Sequence, residues 1–340
     1  MRVLVTGHKG FIGSIMVTLL GSQGIDVVGM DTDYYRDCTF TEPLPEVPEV
    51  SCDIRDAKPE HLEGFDAVVH LAALSNDPLG DLEPQLTYEI NHLATVHLAR
   101  LARDAGVERF VFSSSCSNYG ASGDELLDES APFNPVTPYG ISKVRAEQGL
   151  LELATDRFSP VLLRSATAYG VSPRLRCDVV LNNLTAWAVA TGEVFIKSDG
   201  SAWRPIIHVE DICRAFLAVL DADRDLVHAQ AFNVASQEEN YRIRDLAKIV
   251  ESTVPGATIR FSNDAVTDAR NYRVDGAKIA AVLPGFKPEW TAKDGAQQLY
   301  EAFAAQGIAV DDFEGWRFRR IGQIKRLIDA GRLTDDLRWR

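Results

Sequence analysis

Several features that would mark whole classes of protein are scarce or missing in this sequence. Its 340 residues include only 5 cysteines. Cys38, Cys52, Cys116, Cys177 and Cys213 show no CxxC spacing, so neither a disulfide framework nor a zinc site is expected; we read them as reduced thiols of a cytoplasmic protein. No apolar run reaches the roughly 18 residues of a membrane-spanning helix, so no membrane partner is expected. The chain opens Met1-Arg2 and enters a strand pattern at once, which leaves no room for a signal peptide. Positive charge is also short: 35 Lys and Arg face 49 Asp and Glu, a net charge of −14. A nucleic-acid binder needs a basic face for phosphates, so that class is set aside. An anionic small ligand is not, because a few placed arginines outweigh the mean field. Internal repeats and low-complexity tracts are missing too.

What is present is an ordinary globular composition in a chain long enough for two lobes. Strand patterns at 2–6, 25–31, 50–52, 66–71, 109–113 and 161–163 alternate with helical patterns at 11–23, 83–105 and 137–156. That alternation predicts βαβ units and a parallel sheet, an α/β fold. Residues 32–48 read as loop. Beyond about residue 170 the elements become shorter and more mixed: a helix near 178–191, strands near 194–197 and 205–208, and a helix from 210. Phe232-Asn233-Val234-Ala235 reads as a return to the main sheet, and 312–340 as a charged helix and tail.

Two segments carry chemistry. Gly7-His8-Lys9-Gly10-Phe11-Ile12-Gly13 lies between a strand and a helix. Gly7 permits a tight turn, Gly10 lets backbone approach a pyrophosphate, and Gly13 lets helix and strand pack closely. Asp31, ending the next strand, would accept hydrogen bonds from a ribose and repel a 2′-phosphate, which predicts NAD rather than NADP. The plainer alternatives are a loop that needs positive φ and, for Asp31, a turn former. The second segment is Tyr139-Gly140-Ile141-Ser142-Lys143, preceded by Ser113-Ser114-Ser115. Tyrosine is a poor base at its ordinary pKa near 10. An ammonium one helical turn away lowers that value, and i, i+4 spacing puts Tyr139 and Lys143 on one face. Ser115 could hold the reacting oxygen. The alternative for Tyr139 and Lys143 is a surface pair on an amphipathic helix.

Taken together these residues resemble an extended short-chain dehydrogenase/reductase of the NAD-dependent nucleotide-sugar epimerase/dehydratase family, over nearly the whole chain. The resemblance includes Asp53-Ile54, where that family contacts adenine, His70-Leu71-Ala72-Ala73, Asn91, and Ser113 to Gly120. It implies a Rossmann-type doubly wound parallel sheet over 1–170, with 205–240 returning to it. A smaller mixed α/β substrate lobe would come from 171–204 and 241–340. It implies NAD as cofactor, held also by Leu71, Ala72, Ala73, Asn91, Ser113, Tyr139 and Lys143, and a homodimer through 83–105 and 137–156. It further implies a nucleotide-diphosphate sugar. Asn182-Asn183-Leu184 matches a segment that holds the substrate diphosphate, Phe195 falls on the strand beside the base, and Arg204 matches a phosphate-binding arginine. A helix cap is the alternative for Asn183, and an exposed ion pair for Arg204. Asp268 could hold a ribose. Arg270 could supply a charge that Ala265 lacks. Ser75 belongs to a loop expected to line the site. Arg174 and Arg176 could meet an acidic sugar or a phosphate, with a solvated loop as the alternative.

The residues after Ser115 bear on the reaction. The 4,6-dehydratases of the family carry Asp-Glu there, and this chain carries Cys116-Ser117. Neither replaces an acid and carboxylate pair. Cys116 is either an acid toward substrate or a small buried packing residue. The chemistry that needs only the groups in view is epimerisation, most readily at C4, through a transient keto sugar with Tyr139 as acid and base. A nucleotide-sugar reductase or dehydratase is the alternative within the fold, and an NAD-sensing binding module the non-enzymatic one.

Overall fold

Runs such as Val3-Leu4-Val5 and Val68-Val69 are apolar on both faces, as strands covered by helices on both sides must be. In the computed structural model, which describes residues 1–41, 43–75, 83–266 and 270–340, they lie at the centre of a seven-stranded, wholly parallel sheet. Its strands are β1 (Arg2–Thr6), β2 (Asp26–Asp31), β3 (Glu49–Ser51), β4 (Ala67–His70), β5 (Arg109–Ser115), β6 (Ser159–Ser165) and β7 (Ala231–Val234). They run in the order 3-2-1-4-5-6-7. The order reverses between β1 and β4, and the crevice beyond their carboxyl ends is where such sheets bind ligands.

The longer helices are α1 (Gly13–Ser22), α2 (84–104), α3 (Pro138–Leu151), α4 (Val180–Thr191), α5 (Val209–Asp221), α6 (Ile243–Thr253), α7 (Ala292–Gln306) and α8 (Arg320–Asp329). Alternate strand residues feed opposite faces. Val3, Val5 and Val69 pack with Met16 and Leu20 of α1 and Phe216 of α5. Leu4, Val68, Phe110 and Phe112 pack with Leu98 of α2, Leu150 of α3 and Leu327 of α8. Such double winding is the expected α/β fold. A separate core joins α4, α6 and α7.

The smaller elements depart from the sequence reading. The helix expected over 83–105 contains a π-helical segment, Glu89–Ala94, which places Asn91 toward the loop after β4; such wide turns recur at functional sites. The strand expected near 205–208 does not enter the main sheet. Trp203–His208 pairs instead with Thr167–Tyr169 and Asn240–Arg242, so only β7 makes the return. Glu193–Ser198 pairs with Thr258–Val266, and Ala121–Leu127 with Asn271–Val274. After α8 the chain reverses, with Leu333 bridging Trp339, and docks on the first domain. Tyr34 donates to Leu337 O at 2.6 Å, Arg55 to Asp336 O at 2.7 Å and Trp339 Nε1 to Thr32 O at 2.7 Å.

Candidate active site

The glycine loop has the geometry its spacing predicts. Gly7 has φ +73°, and a Cβ there would lie 2.7 Å from Ala72 N; a Cβ on Gly13 would lie 2.1 Å from Gly7 O. Any side chain at either position would break the contact among β1, α1 and the loop after β4. Gly7, Gly10, Phe11, Ile12 and Gly13 line one cavity with Asp31, Asp53, Ile54, Leu71, Ala72, Ala73 and Ser75. The amino end of α1 opens into it, supplying free N–H groups for a diphosphate. Asp31 accepts from the backbone N of Lys9 at 3.0 Å and of Asp33 at 2.8 Å, which fixes its carboxylate at the end of β2. Asp53 is gripped by Arg55, whose Nη2 lies 2.7 Å from Oδ2. Burial opposes ionisation of Asp53, but the Arg55 hydrogen bonds outweigh it and hold the carboxyl below its ordinary range. These residues fit a dinucleotide. Asn91 does not line the cavity. It is buried, accepts from Leu74 N at 2.8 Å and donates to Leu74 O at 3.0 Å, and so holds the cavity wall in place.

A second, larger cavity adjoins the first, sharing Ile12, Leu71, Ala73, Ser75 and Arg176 with it. Its volume of about 540 Å³ falls within the roughly 300–1,000 Å³ of small-ligand pockets. Tyr139, Lys143, Ser113, Ser115 and Ser117 line it. Thr137 caps α3 by accepting from Gly140 N, and Pro138 fills the first helical position, so the helix starts just ahead of the tyrosine. Lys143 is buried and donates to Ser113 O at 2.7 Å; its Nζ lies 5.8 Å from the centre of the Tyr139 ring. Ser115 Oγ accepts from both the N–H (3.2 Å) and the hydroxyl (2.9 Å) of Ser117. Its own proton is left to donate into the cavity. Cys116 turns the other way: it is fully buried and donates to Arg164 O at 3.1 Å, and burial keeps its thiol protonated by raising the pKa. It packs in the core and does not line the cavity.

Burial lowers the Lys143 ammonium to about 7, against some support from Glu147. Between pH 7 and lysine's ordinary value of 10.5 the unfolded chain therefore binds more protons at this residue than the folded one does. The cofactor-free protein is expected to gain stability relative to Lys143→Met as pH rises through that window, measured as the difference in urea midpoints. A difference that stays flat with pH would contradict a buried, unpaired ammonium.

The second lobe supplies the far wall. Asn183, Leu184, Phe195, Arg204 and Arg270 all line the large cavity. Asn182 does not: it is buried, with Nδ2 donating to Gly170 O and Arg176 O, and holds the turn after Tyr169. Asn183 donates to Cys177 O at 3.0 Å and to Glu314 Oε1 at 3.3 Å. Glu314 also receives Lys197 at 2.5 Å and Trp187 Nε1 at 3.2 Å. Arg204 is buried and donates to Trp203 O at 2.8 Å and to Arg270 O, so it is no exposed ion pair. Asp268 lies outside the described residues. The sequence reading missed Glu314, Lys197 and Arg320. None sits in a local motif, and only the fold brings them to the cavities. Arg176 is buried rather than in a solvated loop and donates through Nε to Asp178 at 2.8 Å. Arg174 is buried too, 3.1 Å from Asp33. Among the described residues no helix is long and apolar enough to cross a membrane.

Comparison with known proteins agrees with this geometry. A model of the NAD dependent epimerase/dehydratase family matches residues 3–235. The UDP-glucose 4-epimerase of Mycolicibacterium smegmatis is 30% identical over 325 residues, spanning 89% of this chain and 98% of its own. The human dTDP-D-glucose 4,6-dehydratase is 26% identical over 335 residues, 93% of this chain and 92% of its own. The structure of MoeE5 in complex with UDP-glucuronic acid and NAD superposes with a TM-score of 0.77 at 29% identity, covering 90% of this chain and 99% of that one.

Proposed function

Because the chain belongs to the NAD dependent epimerase/dehydratase family, we propose that it epimerises a nucleotide-diphosphate sugar, most readily at C4, through a transient keto sugar. The observation that carries this reading is the makeup of the wall around Tyr139. Ser113, Ser115, Ser117, Ser165 and Thr167 line the same cavity with hydroxyls. The carboxylates among the described lining residues, Asp178 and Glu314, are paired with Arg176 and Lys197. Elimination of water needs a further acid and base beside the tyrosine; reversible oxidation of one hydroxyl needs the tyrosine alone.

Bound NAD supplies a hydride acceptor that gives the hydride back, so it is unchanged over a cycle. Tyr139 takes the proton of the sugar hydroxyl as that hydroxyl becomes a carbonyl, and returns it. In its charged form Lys143 favours the phenolate. Ser115 donates to the reacting oxygen throughout. Arg204 and Asn183 hold the substrate diphosphate while the sugar turns, and Phe195 flanks the base. Residues 1–170 with the returning strand β7 and the C-terminal α8 and tail form the cofactor-binding unit, and the elements around α4, α6 and α7 the substrate lobe. The protein works as a cytoplasmic homodimer through α2 and α3, where Leu93 and Leu151 are exposed. Proton NMR in D2O with a panel of UDP-, dTDP-, GDP- and CDP-hexoses and hexuronates tests the reaction. A new C4 epimer that retains its C4 hydrogen is expected. Deuterium at C5 or C6 with loss of water would make it a dehydratase, and turnover only of a keto sugar with added NADH a reductase.

A further inference from the structure

The cofactor cavity has a basic wall that the glycine loop does not explain. Arg176, from the loop after Tyr169, and Arg320, the first residue of α8, both line it, and both are buried, at 8% and 2% exposure. They share one carboxylate. Arg176 Nε donates to Asp178 Oδ1 at 2.8 Å, and the backbone N of Arg320 lies 3.4 Å from Oδ2 of the same side chain. The Arg320 guanidinium lies 4.2 Å from the centre of the Tyr35 ring, and Nη2 donates to Arg174 O at 2.7 Å. Its Nη1 is buried with no hydrogen-bond partner among the described residues. A second cost adds to the first. Arg320 sits at the amino end of a ten-residue helix, where the free N–H groups already carry partial positive charge and a cation is disfavoured. Two buried cations against one carboxylate, an unsatisfied donor and a helix amino end all call for an anion in this cavity.

We propose that Arg320 and Arg176 hold the diphosphate of the dinucleotide, which makes the C-terminal segment part of the cofactor site. Arg320 lines the cofactor cavity and not the substrate cavity, so the anion it serves is the cofactor's rather than the sugar nucleotide's. The segment is anchored for this role: Gln323 Nε2 donates to Tyr34 O at 3.1 Å, and Arg338 lies 3.3 Å from Asp53. The family model ends at residue 235, well before it.

The test is binding, not turnover, and is therefore independent of which reaction the enzyme runs. Cofactor-stripped protein is titrated with NAD and with adenosine, which has no phosphate. Arg320→Met is expected to weaken NAD by about 10–100-fold, the worth of a charge-assisted hydrogen bond, and to leave adenosine unchanged. Arg320→Lys, which keeps the charge and loses the fork, should fall between. In the unaltered protein, NAD should slow hydrogen exchange across 316–332. Unchanged NAD affinity in either variant, equal losses for NAD and adenosine, or no added protection in that segment would overturn the proposal.

Discussion

Replacing Tyr139 by phenylalanine is expected to lower turnover by about 10²–10⁴, the usual contribution of a positioned acid–base group, while NAD still binds. The hydroxyl is the only part removed. The ring stays on α3, Lys143 still donates to Ser113 O, and the glycine loop is untouched. The measurement is the rate of sugar conversion beside the cofactor content of the purified variant. A variant that keeps its rate would move the proton transfer to another group. A variant that loses both rate and cofactor would make Tyr139 a structural residue. Ser115→Ala tests the same step from the other side, since it removes the one cavity-facing donor that Ser117 orients.

Glu147→Gln is expected to give the largest loss of stability. Glu147 lies one turn beyond Lys143 on α3 and is 1% exposed. Arg164 on β6 meets it through Nε, at 3.0 and 3.2 Å, and through Nη2, at 2.7 Å. Ser114 and Asn118 Nδ2 donate to the same carboxylate. Removing its charge leaves a buried guanidinium without its counter-ion, which costs roughly 3–5 kcal/mol. Urea unfolding followed by tryptophan fluorescence should show a midpoint well below that of the parent. The double change Glu147→Leu with Arg164→Met should recover part of the loss, because replacing both charges by apolar side chains removes the desolvation penalty as well. Singles that unfold at the parental midpoint would mean water reaches this pair.

The first domain was legible because its signals are local. The glycine loop, Asp31 at the end of β2 and the Tyr139–Lys143 spacing each depend on neighbours within one turn or one strand. What was not legible depends on helical phase or on distant pairing. Asn182 and Asn183 are equivalent as letters, and about 100° of rotation per residue separates the one that holds Gly170 from the one that faces the cavity. Cys116 and Ser117 differ in the same way. The strand Ala121–Leu127 has no alternation to read, and it forms by pairing with Asn271–Val274, about 150 residues away. Such a strand is a product of the fold rather than a cause of it. Arg320 gave no signal at all, since a basic residue at the start of a charged helix is ordinary until its burial is known.

The serine pair on the cavity wall has a consequence for the direction of reaction. Ser115 Oγ takes two hydrogen bonds from Ser117 and has a single proton left to give. A sugar alkoxide and a sugar ketone both accept at oxygen, so neither requires that hydroxyl to reorient. On the function proposed above, the same wall serves the oxidised and the reduced sugar, and a sugar presenting either face. A catalyst that passes through its intermediate and back again gains from a wall with no preferred direction of travel. The position of equilibrium is set by the two sugars themselves, as under any catalyst.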